Sequence, residues 1–251
     1  MSKQQRWNKI IDLCKYQDNI NVAELVSILG VSEATVRRDL SQMEELNMIN
    51  RFYGGAKLNQ LQYDEPPMLI KTSTNSNEKK LIARLAANMI KDNQMVYIDA
   101  GSTTYEMLNY ITAKNITVTT IGVAHMNKLV QMKINTIVLG GNLHWQTEAI
   151  TGNQTLKQLE DLYFDVAFIG VNGIHEQVGL TTSNEQEASV KKKAIEHSHI
   201  SYALADSSKV NILNAVKFSD LDQVIIISDA IENFDLSKIK YMLTSEIKNK
   251  I

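Results

Sequence analysis

Apolar positions recur with a helical period over residues 3–16, with Ile10, Leu13 and Cys14 on one side and Trp7 or Ile11 beside them. Asp18-Asn19 ends this helix, and Asn21 is placed to cap a second one, Val22–Leu29, with Val22, Leu25, Val26 and Leu29 apolar. Gly30 and Val31 form a tight turn, and Ser32 is a good N-cap for a third helix that runs to about Leu46. In that helix Val36, Leu40 and Met43 make one apolar stripe, while Ala34, Arg38 and Ser41 lie opposite, flanked by Thr35 and Arg37. Two short helices about a tight turn predict a helix-turn-helix, and Met48–Phe52 and Ala56–Leu58 around Tyr53-Gly54-Gly55 predict a hairpin wing.

The rhythm then breaks. Residues 59–77 hold both prolines (Pro66, Pro67) and the polar run KTSTNSN, which reads as a linker with a short ordered part. A helix is expected over Glu78–Ile90. From Met95 onward short apolar runs alternate with helical segments: strands at MVYIDA, ITVTTI (116–121), INTIVL (134–139), DVAFIG (165–170), ISYALA (200–205), VIIIS (224–228) and YML (241–243). Helices are expected at Tyr105–Ile111, Ala124–Met132, Gln154–Leu162 and Glu185–His197. The fold class is α/β: a mostly parallel sheet covered on both faces. The domain reading is 1–58 for the winged helix-turn-helix, 59–77 for the linker and 78–251 for a second domain.

Composition narrows the picture. With 44% hydrophobic and 22% charged residues the chain is ordinary globular protein. No apolar run is long enough to span a membrane and the N-terminus is no signal peptide, so a cytoplasmic setting is expected. Cys14 is the only cysteine, which excludes an intrachain disulfide. The net charge of -2 argues against a general nucleic-acid binder. Residues 1–58 carry eight lysines and arginines against seven carboxylates, too small a surplus for one copy to bind DNA tightly, so a homo-oligomer (dimer or tetramer) is expected.

Candidate chemistry collects at two places. The cationic, small-residue face of the third helix suits a DNA major groove, with Arg51 and Lys57 on the wing placed for phosphates. In open α/β sheets ligands bind beyond the carboxyl ends of the strands. There Asp99-Ala100-Gly101-Ser102-Thr103-Thr104 reads either as a phosphate cradle or as a plain strand–helix turn with a capping hydroxyl. Asp206-Ser207-Ser208-Lys209 reads either as a sugar-phosphate contact or as a surface turn. Glu185, Glu187 and Lys191–Lys193 read as a solvated helix face, and Lys79 and Lys80 as exposed. The five histidines lack metal-ligand spacing, so no metal site is expected, and no nucleotide-binding or hydrolase motif is present.

The motifs VSEATVRRDL and INRFYGGAKL, followed by EKKLIARLAA, IDAGSTT, LGG, AFIGVNG, GLTTSNEQEASVKK and LADSSK, resemble the DeoR-type sugar-metabolism repressors along nearly the whole chain. AFIGVNGI followed by GLTT looks closest to members responding to fructose 1-phosphate or related sugar phosphates. The resemblance implies a winged helix-turn-helix joined to a sensor domain similar to ribose-5-phosphate isomerase. Operator DNA would be contacted by Ser32, Thr35, Arg37, Arg38, Arg51 and Lys57. The effector would be held by Asp99, Gly101, Ser102, Thr103 and Thr104 at its phosphate, and by Asp206 and Lys209 with support from Lys79. Gly140, Gly141, Gly170, Asn172 and Gly173 would shape the pocket. The sequence departs from the family where Thr120 is followed by Ile121-Gly122 rather than Thr-Asn. It departs again where Lys71 replaces an arginine that could bind an anion bidentately. The expected function is a DNA-binding transcriptional repressor of a sugar-utilisation operon, controlled by a phosphorylated sugar, with no catalytic residues, cofactor or membrane partner. A sugar-phosphate isomerase-like enzyme with an appended DNA-binding domain, using Asp99 or Glu187 as base, is the alternative. An activator is equally compatible with the sequence.

Overall fold

The computed structural model describes residues 1, 3–17, 19–45, 49–58 and 68–245. The chain divides into two compact units, Met1–Pro66 and Pro67–Ile251.

The first unit holds helices Lys3–Tyr16, Val22–Leu29 and Glu33–Glu45 and the strands Ile20–Asn21, Ile49–Phe52 and Gly55–Leu58. The Asn21 side chain caps the second helix by accepting from the Glu24 amide at 2.8 Å. Gly30 ends that helix with φ of 63°, a left-handed conformation that costs glycine least. The Ser32 hydroxyl accepts from the Thr35 amide at 3.3 Å and starts the third helix. Val36, Leu40 and Met43 are fully buried, with Trp7, Ile10, Ile20 and Leu25 in the same core. The wing pairs antiparallel from Ile49↔Leu58 to Phe52↔Gly55. Ile20–Asn21, which the sequence analysis did not identify as a strand, pairs with its outer edge. A buried carboxylate joins the helices: Asp39 accepts from Arg6 Nε at 2.6 Å and from Arg6 Nη2 at 3.2 Å.

In the second unit all seven expected strands form one parallel sheet. Its order is Lys240–Leu243, Ile225–Ser228, Ser198–Leu204, Phe164–Gly170, Met95–Ile98, Thr117–Thr120 and Asn135–Val138. Alternate residues face opposite layers. Val96, Ile98, Val166 and Phe168 join the helix Ser76–Ala87 and Leu108, while Tyr97, Ala167 and Ile169 join Leu159 and the helix Glu185–Glu196. The chain leaves Met95–Ile98 outward in one direction and returns on its other side at Phe164–Gly170. The strand order therefore reverses between these two neighbours, the place where such sheets open a crevice.

Three features differ from the sequence reading. Residues 68–77, expected as linker, are helical over Met68–Ser73 and from Ser76 onward, within the second unit, whereas residues 59–67 with both prolines lie outside the described residues. An antiparallel hairpin, Asn142–His144 with Ala149–Thr151, stands where a loop was expected. A second small sheet joins Gly173–His175, Gly179–Thr182 and Val216–Ser219. All of these segments are too short to carry a periodic signal.

Asp39→Ala leaves the Arg6 guanidinium without its partner. It should lower the stability of the first unit by about 3 kcal/mol in a denaturant titration, with an unchanged midpoint counting against the assignment.

Candidate functional site

Asp99 follows the strand Met95–Ile98 at the point of reversal and is fully buried. Its Oδ2 forms a buried ion pair with Lys191 Nζ and accepts from the Gly170 amide at 3.0 Å. Lys191 also donates to the Gly170 carbonyl at 3.1 Å. Gly170 ends the neighbouring strand, and a Cβ there would stand 3.4 Å from Asp99 Oδ2, so the residue is small where strand end and carboxylate meet. Asp99 Oδ1, buried, has no partner among the described residues. Burial pushes the Asp99 carboxyl up, and Lys191 opposes this.

More charged side chains converge here. Glu187 lies one turn before Lys191 and is 4% exposed. Its Oε1 accepts from the buried Thr147 hydroxyl at 2.6 Å. Asn184 caps their helix by accepting from the Gln186 and Glu187 amides at 2.9 and 3.1 Å. From the other side, Lys79 is buried and donates to the Lys71 carbonyl. Asn75 Nδ2 donates to Asp206 Oδ1 at 2.8 Å and to Ser208 Oγ at 3.1 Å, which brings residues 71–79 against residues 206–209. Burial pulls the Lys71 ammonium down to about 7. Glu187 opposes that fall, and Lys191, Lys209 and Lys79 add to it. Burial likewise pulls Lys79 down to about 8, with Asp206 opposing and Lys209 reinforcing. Four lysines thus gather around Asp99, Glu187 and Asp206. A cleft of about 470 Å³ borders the same segment, lined by Asn75, Glu78, Ser207, Ser208 and Asp229 among others. Such a set offers cations to an oxyanion and carboxylates to hydroxyl groups. Among the described residues no group of three or more His, Cys, Asp or Glu is arranged to hold a metal ion.

The structure thus brings Asp99, Gly170, Lys79, Asp206 and Lys209 together. Gly101 packs against Gly170, and Ser102 and Thr103 are buried where the next helix begins. Thr104, expected at the phosphate, is already engaged. Its hydroxyl shares its one proton between the carbonyls of Asp99 and Gly101, at 2.7 and 2.9 Å, and lies 3.1 Å from His125 Nε2. Burial pulls His125 down to about 3, so the ring is neutral. Gly140 and Gly141 follow the edge strand Asn135–Val138. Gly140 bonds to Gln158 and Thr155, and a Cβ on Gly141 would stand 2.2 Å from Thr155 Oγ1, so both shape a packed loop. Asn172 donates from its side chain to Ser183 Oγ at 3.4 Å, and a Cβ on Gly173 would stand 2.4 Å from the Ile212 carbonyl.

Two expectations are corrected. Glu187 and Lys191 were read as a solvated face but are buried, while Glu185 and Lys192 on the same helix are exposed. Lys79 was read as exposed from its position but is buried, while Lys80 is exposed. The available signal was periodic: Glu187, Val190, Lys191 and Ala194 form one buried stripe, with two charges inside it. Lys71 carried only the family comparison, and Thr147 and Asn75 carried no sequence signal.

In the first unit Ser32, Arg37 and Arg38 are exposed and Thr35 is half-buried. Ser32 and Thr35 share a hydroxyl contact of 2.9 Å. Arg37 folds back on Glu33, Nη2 to Oε1 at 2.7 Å, whereas Arg38 makes no ion pair among the described residues. Arg51, expected to grip phosphate, donates to Ser41 Oγ at 2.6 Å and stands 3.8 Å from Glu44. Lys57 is exposed on the wing, and Phe52 and Tyr53 project from its tip.

Known proteins agree with this division. Residues 6–62 match the DeoR-like helix-turn-helix domain, and residues 74–230 match the DeoR C terminal sensor domain. The HTH-type transcriptional regulator FruR of Bacillus subtilis (strain 168), itself described as uncharacterized, is 38% identical over 231 residues, 91% of this chain and 92% of its own. The HTH-type transcriptional repressor GlcR of the same strain is 30% identical over 258 residues, 100% of both chains. Among solved structures, ribose 5-phosphate isomerase A from Methanocaldococcus jannaschii is similar over 55% of each chain, with a TM-score of 0.40 and 16% identity. A DNA-reading helix set and a sensor domain in this order, matched along nearly their full length, show that the chain belongs to the DeoR family of transcriptional regulators.

Proposed function

We propose that the protein is a DNA-binding transcriptional repressor of a sugar-utilisation operon, that a phosphorylated sugar binds among Lys71, Lys79, Lys191 and Lys209, and that it acts as a homo-oligomer. The observation that carries the effector class is the convergence of these four lysines with buried Asp99, Glu187 and Asp206 beside the point where the strand order reverses. A phosphoryl group satisfies ammonium groups that otherwise repel one another. The carboxylates accept from sugar hydroxyls, as ionised carboxylates can only accept. Occupancy controls the repressor only if the ligand binds one of two arrangements of the protein more tightly. Both relatives named above are called transcriptional regulators, which weighs against the enzyme alternative.

On DNA, Arg38 is the base-reading residue, because Arg37 is held by Glu33 and Arg51 by Ser41. Arg38→Ala should cost about 1–3 kcal/mol on an operator recovered by binding-site selection, and Arg37→Ala distinctly less. Equal losses for the two would remove the distinction.

A thermal-shift screen of phosphorylated sugars should find one that stabilises the protein. Lys209→Ala should weaken its binding by about 1.5–3 kcal/mol. A screen in which no phosphorylated sugar raises the melting temperature would defeat the effector class.

Affinity should also depend on pH. With Lys71 near 7 and Lys79 near 8, against an ordinary 10.5, the unfolded chain binds more protons than the folded one above about pH 7. Stability of the unliganded protein therefore rises with pH up to the ordinary lysine value. A phosphate dianion, whose second pKa is about 6, favours the protonated lysines, so binding takes up protons. Affinity should fall between pH 7 and pH 9, by about tenfold overall if Lys79 must be charged and about fiftyfold overall if Lys71 must be, the slope approaching tenfold per pH unit only above each group's own value. Titrations at the two pH values measure this, and equal affinities would contradict it.

A further inference from the structure

The hairpin formed by Asn142–His144 and Ala149–Thr151 is anchored at its base. The Ile150 amide donates to the Ile121 carbonyl at 2.9 Å, the Val123 amide to the Glu148 carbonyl at 2.9 Å, and the Thr151 hydroxyl to Gln186 Oε1 at 3.1 Å. Its turn holds two buried polar residues, Gln146 at 6% and Thr147 at 7% exposure, next to Trp145, which is exposed. Polar turn residues usually face water, so their burial requires partners. The Thr147 hydroxyl donates to Glu187 Oε1 at 2.6 Å, and His144 Nδ1 lies 3.2 Å from Thr147 Oγ1 itself. A hydroxyl has one proton and two lone pairs, so with its proton on Glu187 it accepts from His144. The Gln146 carbonyl accepts from the Met68 amide at 3.0 Å. Met68 is buried and opens the helix Met68–Ser73, which carries Lys71, and the Thr72 hydroxyl donates back to the Met68 carbonyl at 2.8 Å.

Two consecutive residues therefore hold two distant parts of the chain: Thr147 holds a carboxylate of the lysine cluster, and Gln146 holds the first described residue after the segment that follows the DNA-reading unit. We propose that Thr147 is a positioning residue: it aims Glu187 at the occupant of the lysine cluster and, through Gln146, ties that aim to the backbone at Met68. The proposal rests on the reading of this cluster as the effector site. The physical basis is that both bonds share Glu187. The carboxylate is buried and has acceptor sites beyond the one that Thr147 uses, so a ligand hydroxyl that donates to it pulls on a group whose orientation the Thr147 bond fixes. A turn anchored at its base and bonded at its tip passes that change to the Met68 amide, one residue away. In this way the hairpin is the element through which occupancy reaches the helix Met68–Ser73.

The test uses the full chain without added ligand. Hydrogen exchange over residues 68–73 is compared among the parent, Thr147→Val, Thr147→Ser and Glu187→Leu, which leaves the Thr147 hydroxyl no acceptor at that position, with residues 102–107 as an internal reference. Thr147→Val and Glu187→Leu should each speed exchange at residues 68–73 at least fivefold and leave residues 102–107 at the parent rate. Thr147→Ser, which keeps the hydroxyl, should restore the parent rate. Should the valine variant fail to fold, Glu187→Leu decides alone. Exchange at residues 68–73 equal to that of the parent in either folded variant, or loss of protection across both segments alike, overturns the proposal. Repeating the comparison with fructose 1-phosphate separates the two ideas. If exchange obeys Thr147 and Glu187 while no phosphorylated sugar moves the melting curve, the relay stands and the ligand class falls.

Discussion

The second unit is organised around one buried charge. Asp99 ends a central strand with no exposure to water, and an isolated carboxylate in such a place would cost far more than a domain's net stability. Lys191 and the Gly170 amide compensate it, and in doing so they tie the ends of two neighbouring strands to the helix Glu185–Glu196. Compensation is incomplete, because Oδ1 has no partner among the described residues. The pair therefore braces the two strand ends where the strand order reverses and also leaves a buried acceptor beside them.

The neighbouring lysines follow the same logic with the opposite sign. Lys71 and Lys79 are depressed because burial and mutual repulsion penalise their charge, and Glu187 and Asp206 offset only part of that. Folding alone gains little from grouping cations in this way. A dianionic ligand of the kind proposed above would make the arrangement favourable, and would couple occupancy to protonation and to any element that shares these side chains. The Thr147 hydrogen bond to Glu187 is one such shared contact, and it belongs to a turn that also fixes the Met68 amide.

The DNA-reading unit shows how neighbours sort residues of one chemical type. Arg37, Arg38 and Arg51 are alike in sequence terms, yet Arg37 lies along Glu33 and Arg51 lies across Ser41, leaving Arg38 free of ion pairs among the described residues. Asp39, one position further along the helix, points inward and binds Arg6 from the first helix. Charge on this unit therefore serves its packing as well as its surface.

Seven strands, the helices around them and the stripe Val36, Leu40, Met43 were legible in the sequence, because burial on a sheet or a helix imposes a period on apolar residues. The family resemblance also pointed, through Asp99, Lys79, Asp206 and Lys209, to part of the charged cluster that the structure brings together. The sequence did not determine which charges are buried. Glu187 and Lys191 share the period of a buried stripe with Val190 and Ala194, but only Asp99 and Thr147, approaching from other elements, give the two charges their partners there. Nor did it determine the hairpin that ends in Gln146 and Thr147, whose strands of three residues each are held by contacts to Ile121, Gln186 and Met68. Periodicity reports what each segment does against a core. Partnerships between polar groups distant in sequence have no period, and only the tertiary structure decides them.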